Sequence, residues 1–108
     1  MEQLDVIKAL SALAHPIRLE IFRALVVTGK AGLTPGTIAE ALGIPAPTLS
    51  FHLKELVHAG LVSQQRSSRN LIYRAEYDRM NAVLGYLTEN CCQGAACAVE
   101  GAASSCTC

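Results

Sequence analysis

Gly43-Ile44-Pro45-Ala46-Pro47-Thr48-Leu49-Ser50-Phe51-His52-Leu53-Lys54-Glu55-Leu56-Val57-His58-Ala59-Gly60-Leu61-Val62 is the stretch that decides the fold. Leu49, Leu53, Leu56 and Val57 are spaced four, seven and eight residues from the first, which gathers them into one apolar stripe of a helix. The other side carries Thr48, Ser50, Phe51, His52, Lys54, Glu55 and His58, mostly hydrogen-bonding groups with one aromatic among them. Pro45 and Pro47 suit only a turn and the first helical positions, and Gly60 supplies a stop. The spacing predicts a short helix with one face for a core and the other for a second molecule.

Immediately upstream, Thr34 to Gly43 reads as another short helix, with Thr34 as N-cap, Pro35 at the first position and Gly43 past the end. Two such helices joined by Gly-Ile-Pro make a helix-turn-helix. Downstream, Leu61–Arg66 and Asn70–Arg74 are β-prone runs around Ser67-Ser68-Arg69, which predicts a hairpin. A hairpin directly after a recognition helix is a wing. The expected fold class is therefore mainly α with a small β-hairpin, a winged helix-turn-helix.

The remaining segments supply its frame. Leu4, Ile7, Leu10, Ser11 and Ala14 recur at helical spacing, and His15-Pro16 forces a boundary because the residue before proline is pushed out of the helical region. From Pro16 to Val27 the chain is apolar around most of a helix, the pattern of a central bundle element. Tyr77, Met80, Val83, Leu84 and Leu87 mark a last helix running to about Asn90. Its stripe and that of the first helix lack partners in so small a domain, which points to a homodimer.

At 108 residues there is room for one core, and a 51% apolar composition argues against disorder. Apolar runs stop well short of a membrane span and no basic-then-apolar leader opens the sequence, so a cytoplasmic location is expected. Nine basic and nine acidic residues cancel, which excludes a strongly basic coat, yet Lys54, Arg66, Arg69 and Arg74 face only Glu55 between Gly43 and Arg74. The helix and wing are locally positive.

All five cysteines, Cys91, Cys92, Cys97, Cys106 and Cys108, lie in the last eighteen residues, where the composition turns to Cys, Ala, Gly and Ser. The division expected is residues 1–90 as the DNA-binding and dimerisation domain and residues 91–108 as a cysteine-rich tail. Such clustering suggests a ligand site or a tail rather than a disulfide framework. A thiol enzyme needs a group that lowers the cysteine pKa, whereas these thiols follow a helix C-terminus whose dipole opposes a thiolate. No enzyme is expected.

Two segments carry a family resemblance. Ala12-Leu13-Ala14-His15-Pro16-Ile17-Arg18-Leu19-Glu20-Ile21 and Leu49-Ser50-Phe51-His52-Leu53-Lys54-Glu55-Leu56-Val57-His58-Ala59-Gly60-Leu61-Val62 occur in the order in which similar segments stand in ArsR/SmtB metalloregulatory repressors. The chain resembles that family from about Leu4 to Leu87. The resemblance implies a symmetric dimer paired through the first and last helices, each recognition helix offered to a DNA major groove. It does not supply the cysteine pair that many arsenic-sensing relatives carry before the recognition helix, because 37–41 has none, nor the last-helix zinc ligands, because no histidine follows His58. The wing turn has Ser67-Ser68 where a glycine is usual.

The DNA-binding set is then Thr48, Ser50, Phe51 and His52 toward base edges, with Lys54, Arg66 and Arg69 toward phosphates. Bland readings stand beside these: His52 as a plain helix-surface histidine, Phe51 tucked under the wing, and Arg66 and Arg69 as a solvated turn. His15 and His58 are read as structural or solvated. Cys91, Cys92 and Cys97 are the metal-site candidates, with trivalent arsenic (arsenite) or antimony as inducer and no organic cofactor; soft trivalent arsenic selects three thiolates. Cys106 and Cys108 are read as dispensable tail. The alternatives are a thiol-redox switch and a cadmium or lead sensor on the same fold. The expected partners are operator double-stranded DNA and a second copy of the chain, and no membrane.

Overall fold

The computed structural model describes residues 2–89, which form helix α1 (Gln3–Leu13), α2 (Pro16–Thr28), α3 (Pro35–Leu42), α4 (Ala46–His58), strands β1 (Val62–Ser67) and β2 (Asn70–Ala75), and α5 (Tyr77–Leu87). A 3-10 turn over Gly29–Ala31 links α2 to the approach to α3. This is the winged helix-turn-helix expected, and no helix among the described residues is long and apolar enough to cross a membrane.

Local chemistry sets the boundaries. His15, one residue past the C-cap of α1, leaves the helical region at φ −154°, and its Nδ1 accepts the Ile17 N–H at 3.1 Å to cap α2. Thr34 caps α3 by accepting the Thr37 N–H at 3.3 Å, and Pro35 occupies the first turn. Gly43 then adopts the left-handed conformation (φ 67°, ψ 37°) while its N–H closes on Ala39 O at 2.8 Å. That one residue turns the chain from α3 into α4.

Ile21 and Leu25 of α2, Ile38 of α3, Leu49, Leu53 and Leu56 of α4, and Leu61 are almost wholly buried and form the centre of the core. α2 lines this core rather than running through it. Ile21, Phe22 and Leu25 face inward, whereas Leu19 and Val27 remain 45% and 81% exposed, so the expectation of a helix buried around most of its surface is corrected. α1 presents small side chains to the core, Val6, Ala9 and Ala12, and leaves Leu4, Ile7 and Leu10 outside. In α5, Val83 turns inward and leaves the stripe assigned to a partner, while Leu84 and Leu87 stay exposed. The Tyr77 hydroxyl donates to Val26 O at 3.1 Å and ties the start of α5 to α2.

The two strands pair antiparallel with Ser67 opposite Asn70, leaving Ser68 and Arg69 as a two-residue loop. Ser68 takes φ 59° and no positive φ is found at Arg69, the sign pattern of a II′ turn, whose first loop position favours glycine. A serine there costs about 1 kcal/mol of backbone strain, and the hairpin forms nonetheless. Its base is anchored to the helices by Leu33, which exchanges backbone hydrogen bonds with Tyr73 (Leu33 N to Tyr73 O 3.0 Å, Tyr73 N to Leu33 O 2.8 Å).

Candidate nucleic-acid interface

The inward stripe of α4 fixes which of its residues remain outside. With Leu49, Leu53 and Leu56 buried, Ser50, Phe51 and Lys54 stand exposed and Thr48 is half-buried at the first turns. Phe51 is 54% exposed and does not tuck under the wing. Arg66 and Arg69 are exposed on the hairpin, at the end of β1 and in the loop. Short hydrogen-bonding groups and an aromatic on a helix face, with flexible cations on a neighbouring hairpin, are the elements of groove and phosphate contact.

His52 departs from its expected place. Its side chain is 6% exposed, and its Nδ1 accepts the Arg18 Nε–H at 3.1 Å, so it is a core histidine and not a base-reading donor. Burial, then the charges of His15 and Arg18, push its pKa below the ordinary 6.5, against a smaller opposing pull from Glu55. The periodicity held the signal: position 52 lies three after Leu49 and four before Leu56, on the buried stripe. Sorting by polarity hid it.

Arg74 is also committed elsewhere. Its Nε donates to Lys30 O at 2.7 Å and its guanidinium to Gln65 Oε1 at 2.7 Å, which clamps β2 to the 3-10 turn and to β1. Lys54, Arg66 and Arg69 are the exposed cations of α4 and the hairpin. Arg18, which the sequence reading left unassigned, lies with its guanidinium carbon 5.7 Å from the centre of the Phe51 ring.

This arrangement has known counterparts. Residues 13–65 match a helix-turn-helix domain model, spanning α2 to α4 and most of β1. The HTH-type transcriptional regulator YgaV of Escherichia coli K12 is 30% identical over 83 residues, covering 77% of this chain and 82% of that protein. An ArsR-like transcriptional regulator from Rhodococcus sp. RHA1 superposes with a TM-score of 0.70 at 26% identity, over 78% of this chain and 76% of its own. The chain belongs to the ArsR/SmtB family of transcriptional regulators.

As an ArsR/SmtB regulator it is a DNA-binding protein. A further member of the neighbourhood is the homodimeric winged helix-turn-helix domain Mb0332 from Mycobacterium bovis, with 29% identity, a TM-score of 0.64 and 80% of both chains covered. Among the described residues of this ArsR/SmtB chain, no three His, Cys, Asp or Glu side chains gather to hold a metal. The candidate ligands Cys91, Cys92 and Cys97 lie outside the described residues, as do Cys106 and Cys108.

Proposed function

We propose that this chain is a repressor that binds operator DNA as a homodimer and releases it when trivalent arsenic or antimony binds Cys91, Cys92 and Cys97. The observation that carries the DNA half is the exposed set Ser50, Phe51 and Lys54 on α4 beside Arg66 and Arg69 of the wing. Thr48 joins it from the first turn of α4. Exposed Leu4, Ile7 and Leu10 on α1, with Leu84 and Leu87 on α5, support the dimer, as does the homodimeric state of Mb0332. Residues 1–90 would carry both tasks and 91–108 the inducer site.

Support for the inducer comes from donor chemistry. Trivalent arsenic takes three sulfurs in a pyramid, and soft thiolates are preferred to oxygen or imidazole. Cys91, Cys92 and Cys97 offer three, separated by the short Gln93-Gly94-Ala95-Ala96 spacer. Zinc ordinarily takes a fourth ligand, and no His or Asp follows Asp78 in the sequence.

The readout divides by residue type. Ser50→Ala is expected to lower the preference for operator over random DNA by about 1–3 kcal/mol, while Arg69→Ala weakens both and flattens the salt dependence by about one unit of slope. Titrations of both duplexes at several salt concentrations measure this, and equal loss of discrimination from the two substitutions defeats the assignment.

For the inducer, the test is release of a labelled operator by arsenite, with each cysteine changed in turn to serine. Cys91→Ser, Cys92→Ser and Cys97→Ser should each abolish release, and Cys106→Ser and Cys108→Ser should not. A chain ending at Asn90 that still responds to arsenite sinks the metalloid reading. Release by peroxide that dithiol reverses, with arsenite inert, identifies a redox switch instead.

A further inference from the structure

We infer that Arg18, outside the recognition helix, is a specificity-determining positioning residue: by holding His52 and facing the Phe51 ring it fixes how α4 presents Phe51 to the DNA. The inference rests on the reading of α4 as the DNA-contacting helix.

An exposed phenyl ring discriminates between bases only if its orientation is set before contact. Phe51 is set from two sides. The Arg18 guanidinium carbon lies 5.7 Å from its ring centre, within cation–π range. The His52 ring meets it edge-on at 5.4 Å, with 64° between the planes. His52 is itself immobilised, since its Nδ1 accepts from Arg18 Nε at 3.1 Å and its ring packs 4.6 Å from that of His15. One guanidinium on α2 thus governs both aromatic rings of adjacent α4 residues, although it stands 34 residues away in sequence.

The contact is chemically conditional. Arginine keeps its protons, so the Arg18–His52 bond needs an unprotonated Nδ1 on His52. A proton on that nitrogen removes the acceptor and sets two cations against each other. The groups facing His52 are His15 from the turn between α1 and α2, Arg18 from α2, and Glu55 on α4 itself; Lys8 and His58 line the adjoining cleft with Arg18 and Glu55. Burial first, then His15 and Arg18, hold the His52 pKa below 6.5. Because the folded value lies below the unfolded one, the stability contributed by neutral His52 is complete above about pH 6.5 and is lost as pH falls toward the folded value. Base discrimination, which depends on this bond in the folded protein, should decline only as pH falls through the folded value.

The test uses the full chain, a duplex that the wild type selects from a randomised library, and a scrambled duplex of equal composition. Arg18→Gln is expected to lose about tenfold of the preference between them, with the salt dependence unchanged. His52→Asn places an acceptor oxygen near the Nδ1 position without a titratable group. Without the ring that meets Phe51 edge-on it should lose part of the preference at neutral pH, and what remains should show none of the wild type's decline on acidification. If Arg18→Gln fails to fold, His52→Asn decides alone, with an unchanged pH profile overturning the inference. Uniform weakening on both duplexes with a flatter salt slope in Arg18→Gln also overturns it, by making Arg18 a phosphate contact. A wild type that selects no preferred duplex overturns the reading of α4 itself.

Discussion

Gly32→Ala is expected to be the most destabilising single substitution of a small residue in this domain. An added Cβ would lie 2.6 Å from Ile72 Cγ2, 2.7 Å from Tyr73 O and 2.9 Å from Arg74 Cγ. The second of these cannot swing away, because Tyr73 O accepts the Leu33 N–H at 3.0 Å in the bridge between hairpin and helices. Gly32 also holds φ 70° and ψ −179°, a region open essentially to glycine alone. Overpacking and backbone strain together amount to about 2–6 kcal/mol. In a domain of this size each kcal/mol moves Tm by about 4–8 °C, so thermal unfolding should fall by about 10 °C or more. Gly36→Ala is the control: it sits in α3 with nothing within 4 Å and should leave Tm unchanged or raise it slightly. Equal melting of the two variants would show that the hairpin base tolerates displacement.

Leu84→Glu should leave the subunit folded and eliminate operator binding. Leu84 is 36% exposed on α5, so a carboxylate there meets water in an isolated subunit but becomes an unpaired charge inside the proposed dimer contact. Losing the partner removes the second recognition helix from the complex, and the avidity given up is about 10²–10⁴-fold. Sedimentation velocity should show monomer, circular dichroism a folded subunit that lacks at most the helix content of α1, and anisotropy no operator binding at concentrations where wild type saturates. A wild-type chain that sediments as a folded monomer at micromolar concentration, or a Leu84→Glu dimer that still binds, rejects the α1–α5 interface.

The parts of this fold legible from sequence are those fixed by local rules. Thr34, Pro35 and Gly43 delimit α3 through capping chemistry that needs no distant partner. His15-Pro16 breaks the first two helices for a steric reason equally local. The candidate interface is legible in part: Ser50, Phe51, Lys54, Arg66 and Arg69 are exposed as a contact surface requires, yet polarity misplaced His52, whose partner is 34 residues distant. Arg74, counted from sequence only as local positive charge, is tied up likewise, because its acceptor Lys30 O is 44 residues away and nothing near Arg74 announces it. Long-range side-chain bonds redirect polar residues inward or along the surface, and one-dimensional patterns do not contain them. The direction of Val83 is also non-local, being settled by how α5 docks.

The small inner face of α1 has a consequence for the order in which the protein assembles. Ala9 and Ala12 give little area to the core, leaving Val6 as the one larger side chain among its buried residues. An eleven-residue helix is marginal on its own in water, so this segment gains modestly from its own subunit and more from whatever covers Leu4, Ile7 and Leu10. If that cover is the second subunit, completing α1 becomes a bimolecular event. Newly made chains would then pass through an interval in which the recognition unit is folded and the amino-terminal helix is not, and the length of that interval would shorten as the chain accumulates in the cell.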